Sequence, residues 1–171
     1  MTSDPHTRPP SPRDTRLAVQ LAIVGGTVAA AGLGAVASLD AQASYHALRQ
    51  PSWAPSAAVF GPVWTILYAL MATAACGVAR HAPARAARAA LAPYALQLAL
   101  NAAWTWLFFR WHMGAWALAE VVALLAVVAL TAWRFGRIRA WAGACLVPYL
   151  LWVGFATALT AALWQLNPTT L

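Results

Sequence analysis

Polar side chains interrupt an apolar stretch of the chain, QLALNAAWTW, which begins at Gln97. Gln97, Asn101 and Trp104 are spaced by four and three residues, so that in an α-helix they share one face. An amide that faced lipid would leave its hydrogen-bonding groups unsatisfied, and we therefore expect this face to point into a bundle. The amides then either join helices, at about 0.6 to 2 kcal/mol per hydrogen bond, or line a binding cavity.

Glu120 is the acidic residue that lies inside an apolar run rather than in a tail or connector. Near the N-terminal end of a predicted helix, its charge can be stabilised by the helix dipole and by interfacial water. The alternative is that it forms a polar wall of a cavity. Proton-coupled transport requires paired ionisable groups within the membrane, and the sequence gives Glu120 no such partner.

Ten tryptophans are distributed along the chain, and most are placed as an interfacial belt would place them. Those near predicted helix ends are Trp106, Trp111, Trp116, Trp133, Trp141 and Trp164. Trp152 falls in the middle of the last apolar run, and Trp64 lies a third of the way along the second, with Tyr68 four residues later on the same helix face. An indole N–H at such depth needs a partner in the bundle or in a bound molecule.

A second stripe is predicted in the last apolar run, where Tyr149, Trp152, Ala156 and Thr160 share a helix face. Large rings beside small side chains form either a close helix contact or a slot for a flat ligand. Periodicity alone leaves both alternatives open.

Reactive side chains give little support for metal or nucleophilic chemistry. Cys76 and Cys145 lie in apolar runs without metal-binding spacing, and the four histidines form no ligand pattern. We therefore expect no metal site, no required cofactor and no catalytic residue built on an acid–base pair.

The composition is that of a membrane protein, since 62% of the residues are hydrophobic and only 9% are charged. Five runs are long enough to cross a hydrocarbon core as helices. They are residues 17–39, 57–79, 86–109, 115–133 and 141–164. Period-two alternation is absent, so the predicted fold is all-α, a polytopic bundle of five transmembrane helices. It occupies residues 17–167, between a disordered polar tail, 1–16, and a short C-terminal tail, 168–171.

Arginines predict the topology rather than a nucleic-acid interface, because they are scattered through short connectors. Nine lie in the tail and in the second and fourth connectors, against two, Arg49 and Arg110, on the other side. This bias favours an N-terminus on the inner side and a C-terminus on the outer side of whichever membrane sets the rule. In an inner membrane, as expected for a bacterial protein, the N-terminus would be cytoplasmic. The long first connector, Asp40–Ser56, carries Pro51 and Pro55 and is expected to form an ordered flap over one end of the bundle.

Three motifs in order carry a family resemblance: YHALRQPSWAPS leading into VFGPVWTILYALM, then QLALNAAW with LFF, then PYLLWVGFATAL with LWQLN. Over residues 17–167 the chain resembles the TspO/translocator protein family, also called tryptophan-rich sensory proteins or the peripheral-type benzodiazepine receptor family. The resemblance implies a five-helix membrane protein, commonly a homodimer, that binds porphyrins and haem.

The resemblance also implies the residues that line the ligand cavity. They are Trp53, Trp64, Tyr68, Asn101, Trp104, Trp116, Glu120, Trp152 and Ala156. Some relatives bind sterols, but the motif proposed for this has Tyr and Arg where the present chain has Ala161 and Gln165. Sterol binding through that motif is therefore not expected here.

Two functions are consistent with these features. The first is a receptor or carrier that binds protoporphyrin IX, haem or related hydrophobic ligands for tetrapyrrole sensing or transport. The alternative is a light- and oxygen-dependent enzyme that degrades porphyrin, in which the resemblance assigns the chemistry to Trp64 and Trp152. A purely structural bundle, whose aromatic stripes pack against one another, is the third interpretation.

Overall fold

The structure is a computed structural model that describes residues 12–171, and within them every regular element is helical. The helices are α1 (Pro12–Ala37), α2 (Ala41–Ala47), α3 (Phe60–His81), α4 (Ala84–Thr105), α5 (Gly114–Ile138), α6 (Ala140–Ala144) and α7 (Val147–Leu166). A 3₁₀ turn, Ala57–Val59, precedes α3, and a π turn, Trp106–Arg110, follows α4. The prediction of an all-α fold is confirmed.

The first helix begins earlier than the sequence predicted. Residues 1–11, most of the predicted polar tail, lie outside the described part of the chain. Residues 12–16 of that tail are helical, so that α1 starts five residues before the predicted Leu17. Arg13 and Arg16 thus belong to the first turns of the helix, where their exposed side chains can reach the headgroup layer.

Four helical stretches among residues 12–171 are long and apolar enough to cross a membrane: Arg13–Ala37, Ala57–His81, Gly114–Ile138 and Ala140–Leu166. The remaining long helix, α4, has 22 residues, about 33 Å at 1.5 Å per residue. It is less apolar because Arg85 and Arg88 occupy its first turns and two amides its second half. Length therefore supports a fifth span, and the polar residues suit its position inside the bundle.

Helix α5 is the centre of the bundle and packs against α4, α6 and α7, while α1 packs against α3 and α4. The core contains fully buried side chains from several of these helices, including Met71, Val78, Val128, Phe135 and Val153. Helix α1 covers one side only, and Leu21, Val28 and Leu33 on its outer face are more than half exposed. In a bilayer such an apolar outer face contacts lipid.

Exposed tryptophans mark both ends of the bundle, as the belt interpretation predicted. Trp116 and Trp133 on α5 are 65% and 63% exposed and are 17 residues apart, about 25 Å along the helix axis at 1.5 Å per residue. That separation approximates the hydrocarbon thickness of a bilayer. These two indoles therefore suit the two interfaces.

The connector predicted to be a flap forms a short helix followed by extended chain. We define the flap as residues 40–56, which comprise α2 and the segment from Leu48 to Ser56. Tyr45 of α2 is 3% exposed and belongs to an apolar cluster with Phe108, Leu159 and Leu163. Burial of this ring fixes the flap against the ends of α4 and α7.

Candidate functional site

A cavity of about 590 Å³ lies under the flap, between α1, α2, α3 and the C-terminal end of α4. This volume is within the range of ~300–1,000 Å³ that is usual for ligand sites. Its lining residues are Ala31, Gly34, Ala35, Ser38, Ala41, Gln42, Tyr45, Ala57, Phe60, Gly61, Trp64, Thr65, Tyr68, Asn101, Trp104, Thr105 and Phe109. The side chains that α1 contributes are small, whereas α3 and α4 contribute the rings.

One face of α3 supplies the aromatic wall. Phe60, Trp64 and Tyr68 are spaced by four residues and all line the cavity. The rings of Trp64 and Tyr68 are tilted by 34° with centroids 5.6 Å apart. On the opposite side, Trp104 stacks on Phe108 at a centroid distance of 5.4 Å. The cavity is therefore a space between aromatic side chains that two helices present.

A short hydrogen-bond network crosses the cavity wall. The Tyr68 hydroxyl donates to Asn101 Oδ1 at 2.9 Å, and Asn101 Nδ2 donates to the Tyr149 hydroxyl at 2.9 Å. Asn101 thereby joins α3, α4 and α7 while it also lines the cavity. Both interpretations of this amide, helix contact and cavity lining, describe its position.

The second amide of this stripe, that of Gln97, forms a helix contact only. Gln97 is fully buried, does not line the cavity, and donates through Nε2 to the Met71 sulfur at 3.6 Å. Trp104 lines the cavity, and its buried Nε1 has no hydrogen-bond partner within residues 12–171. Of this stripe, Asn101 and Trp104 line the cavity, and the Trp104 Nε1 atom itself is buried.

The flap is held over the cavity by Asn167, the residue that follows α7. Asn167 Oδ1 accepts from the Arg49 backbone N–H at 2.9 Å, and its Nδ2 donates to the Arg49 carbonyl at 3.0 Å and to the Leu163 carbonyl at 2.8 Å. Within the flap, the Tyr45 hydroxyl donates to the Pro55 carbonyl at 3.1 Å. Burial raises the pKa of the Tyr45 phenol above its ordinary value.

Of the nine predicted site residues, the structure brings four together around the cavity: Trp64, Tyr68, Asn101 and Trp104. Three others lie beyond its wall. Trp152 lines a separate outer groove of about 410 Å³ together with Phe155, and Trp53 of the flap meets the Phe155 ring at 5.8 Å. Ala156 is half-buried and lines neither space.

The two predicted site residues on α5 also lie outside the cavity. Trp116 is 65% exposed on the outer surface of the bundle, which is the position of a belt residue. The Glu120 carboxylate oxygens are buried and have no hydrogen-bond partner within residues 12–171. An interfacial, wetted carboxylate is therefore not what the structure shows, although Glu120 does not reach the cavity either.

Several lining residues were absent from the sequence-based set, namely Tyr45, Phe60, Thr105 and Phe109. Phe60 lies four residues before Trp64, and Thr105 lies four after Asn101, so extending each stripe by one helical turn identifies both. Tyr45 and Phe109 lie in the flap and in the π turn, where helical periodicity gives no information. For Asn167, which fastens the flap, the local sequence pattern likewise gives no indication of its role.

The residues that line the cavity are suited to binding an apolar ligand. In the described part of the chain no charged side chain lines the cavity, whose polar residues carry hydroxyls, amides and the indole N–H groups of Trp64 and Trp104. Within residues 12–171, no three histidine, cysteine, aspartate or glutamate side chains are placed to hold a metal ion. Burial of an apolar surface against the rings, with orientation by a few polar groups, is what this arrangement supports.

Comparison with known proteins agrees with this architecture. The model of the TspO/MBR family matches residues 19–165. The chain is similar to a tryptophan-rich sensory protein of Cereibacter sphaeroides, 43% identical over 72% of this chain and 76% of the relative. It is also similar to protein CrtK of Rhodobacter capsulatus, 36% identical over 82% and 89%, and to the translocator protein of Homo sapiens, 34% identical over 72% and 74%. With such coverage, the chain belongs to the TspO/MBR family and is an integral membrane protein.

Proposed function

We propose that this protein is a membrane receptor or carrier that binds porphyrins, such as protoporphyrin IX or haem, in the cavity under the flap. The observation that carries the proposal is the cavity itself, walled by Trp64, Tyr68 and Trp104 and closed by a fastened flap. A tetrapyrrole is a wide apolar disc, and stacking on aromatic rings stabilises such a ligand. The names of relatives, a sensory protein and a translocator protein, agree with sensing or transport.

The polar groups that line the cavity in the described part of the chain are uncharged, which suits a ligand that carries its charged groups at one edge of the molecule. No cation among residues 12–171 lines the cavity, so the propionates of a porphyrin would lie at the flap end, where Arg49 and Arg110 are exposed. The proposed orientation is thus propionates toward the flap and the apolar edge toward Asn101.

Titration with protoporphyrin IX, followed by quenching of tryptophan fluorescence, tests the proposal. Saturable binding is expected, with affinity weakened about tenfold, ~1.4 kcal/mol, in Trp64→Leu because a stacking surface is lost. Trp133→Leu is the matched control, since this indole is 63% exposed near the C-terminal end of α5 and does not line the cavity. Equal affinities for the wild type and Trp64→Leu would contradict the proposed site.

A second function, photo-oxidative degradation of protoporphyrin, is favoured by one contact. Trp64 and Tyr68, both oxidisable residues, face the cavity with ring centroids 5.6 Å apart. Under light, an excited porphyrin in the cavity would take an electron from Trp64 and pass it to oxygen. The Trp64 radical, after loss of the indole proton, would then be positioned to oxidise the porphyrin ring. Loss of the Soret band on illumination in the wild type, and its persistence in Trp64→Phe, would support this activity. An unchanged spectrum in the wild type would exclude it.

We also propose that the flap faces away from the cytoplasm and that two copies associate. The arginine bias supports the orientation, and family resemblance supports the homodimer. Single cysteines in place of Arg49 and Arg137, with Cys76 and Cys145 replaced, test the orientation by labelling of intact cells with an impermeant maleimide. Labelling at position 49 but not 137 is expected, and the reverse pattern would overturn it.

A further inference from the structure

Two separate spaces meet at the contact between α3 and α7. One is the cavity under the flap. The other is an apolar groove of about 410 Å³ on the outer surface, which has Val63, Ile66, Leu151 and Trp152 among its lining residues. Ile66 is 60% exposed and Leu151 is 69% exposed, so that this groove faces the surrounding lipid in a bilayer.

Two aromatic pairs lie between the two spaces, and each joins α3 to α7. Phe60, which lines the cavity, meets Trp152, which lines the groove, at a centroid distance of 5.8 Å and an angle of 72°. One turn further along α3, Trp64 meets Tyr149 at 6.0 Å and 67°. Each pair is an edge-to-face contact between side chains.

The two pairs are not equally fixed. Tyr149 is 1% exposed and accepts a hydrogen bond from Asn101 at 2.9 Å, so that the Trp64–Tyr149 pair is anchored to α4. The Phe60 ring has no hydrogen-bonding atom and is only half-buried. It meets the Tyr45 ring of the flap at 5.5 Å and Trp152, and it packs against the apolar cluster around Tyr45. Phe60 is therefore the part of the wall that is held by apolar contacts without a hydrogen bond.

We infer that Phe60 sets the size limit of the ligand site, because its ring separates the cavity from the α3–α7 groove. Compact flat ligands fit on the cavity side of this ring. A long apolar substituent gains nothing from the groove while the ring is in place. Removal of the ring joins the two spaces and admits such a substituent, an alkyl chain, between α3 and α7 and against Trp152. The inference concerns the same cavity as the proposed function but does not require the ligand to be a porphyrin.

Hydrocarbon probes test the inference without any tetrapyrrole. Pyrene and 1-dodecylpyrene are titrated into the purified protein in nanodiscs, and binding is followed by energy transfer from tryptophan. The ratio of their dissociation constants measures the gain from the dodecyl chain, and partition of the probes into lipid cancels between variants. In Phe60→Ala this gain is expected to exceed that of the wild type at least tenfold. Phe60→Leu, which retains more volume, is expected to give a smaller increase.

Phe109→Ala is the matched control, since Phe109 lines the same cavity but its ring meets Trp104 and Phe108 rather than a residue that lines the groove. This substitution also enlarges the cavity, yet its ratio is expected to stay within twofold of the wild type. An unchanged ratio in both Phe60 variants, or absence of binding of the alkylated probe in them, overturns the inference. Protoporphyrin titration is a separate result, so that loss of the proposed function leaves this test intact.

Discussion

Asn167 and Arg49 are 118 residues apart in sequence, and the side chain of the first pairs with the backbone of the second in both directions. The amide accepts from the Arg49 N–H at 2.9 Å and donates to its carbonyl at 3.0 Å. This arrangement fastens the flap to the C-terminal end of α7. It is the polar contact that closes the cavity, alongside the apolar cluster around Tyr45.

Replacement of Asn167 is expected to loosen the flap rather than unfold the bundle. Asn167→Ala removes both bonds to Arg49, at a cost of roughly 1 kcal/mol for each hydrogen bond. Hydrogen exchange of amides 48–56 should therefore rise by about tenfold or more, while that of α5 stays unchanged. Gln165→Ala, at an exposed neighbouring position, is the control. Unaltered exchange in the flap of Asn167→Ala would show that apolar contacts alone hold it.

Asn101 is expected to contribute more to stability than either tyrosine hydroxyl that it joins. Tyr68→Phe removes one bond of 2.9 Å, and should cost about 0.5–1.5 kcal/mol. Asn101→Leu removes both bonds and leaves the Tyr149 hydroxyl buried without this partner, which should cost about 1–3 kcal/mol more. Unfolding in mixed detergent micelles measures the difference, and equal costs for the two variants would refute the network.

Gly77 is expected to tolerate a side chain poorly, because the far end of the Trp141 ring occupies the space that a Cβ would take. Gly77→Val should therefore displace the Trp141 ring from its contact with α3 and destabilise the protein by about 1–3 kcal/mol. Gly26→Val provides the comparison, since no described atom of a neighbouring side chain or helix lies within 4 Å of the position that a Cβ would take at Gly26. Thermal unfolding in detergent measures both. Similar melting temperatures for the two variants would mean that the Trp141 ring does not pack against Gly77.

Tyr45 is expected to titrate above its ordinary range and to weaken the flap when it ionises. Burial raises the pKa of this phenol, and its hydroxyl donates to the Pro55 carbonyl, a bond that the phenolate cannot form. The folded state therefore favours the neutral form. The resulting stability is complete below the unfolded pKa of about 10 and is lost as the pH rises through the folded value.

The difference in tyrosinate absorbance between the wild type and Tyr45→Phe isolates this group from the other tyrosines. Its midpoint should lie above about pH 10. A midpoint at or below that value would mean that Tyr45 is solvent-exposed and that the flap is open in solution.

The sequence predicted the elements of the fold well because hydropathy and spacing act within one helix. The stripe of Trp64 and Tyr68 and that of Asn101 and Trp104 face the same cavity, as helical periodicity requires. Trp152 shows the limit of this reasoning. Its position midway along the apolar stretch Ala140–Leu166 was predicted correctly, but periodicity does not reveal which neighbour a face meets, and the Phe60 ring separates it from the cavity.

Positions near chain reversals were predicted less well. The π turn after α4 closes with a bond from the Trp111 N–H to the Trp106 carbonyl at 2.9 Å, which shifts the register of every side chain that follows. A regular helix extended to Phe109, as the sequence suggested, would orient that ring differently. The contact of Asn167 with Arg49 joins segments that local patterns cannot relate.

The hydrogen bonds between Asn167 and the flap use only main-chain atoms of residue 49. The requirement for a particular side chain therefore falls on position 167 alone. An exchange at position 49 preserves the N–H and the carbonyl for any residue except proline, whereas position 167 requires a side chain that both accepts and donates at that length. The charge at the rim of the site can therefore change during evolution without altering closure. The side chain that sets the charge near the ligand and the side chain that holds the flap closed are, in this sense, different residues.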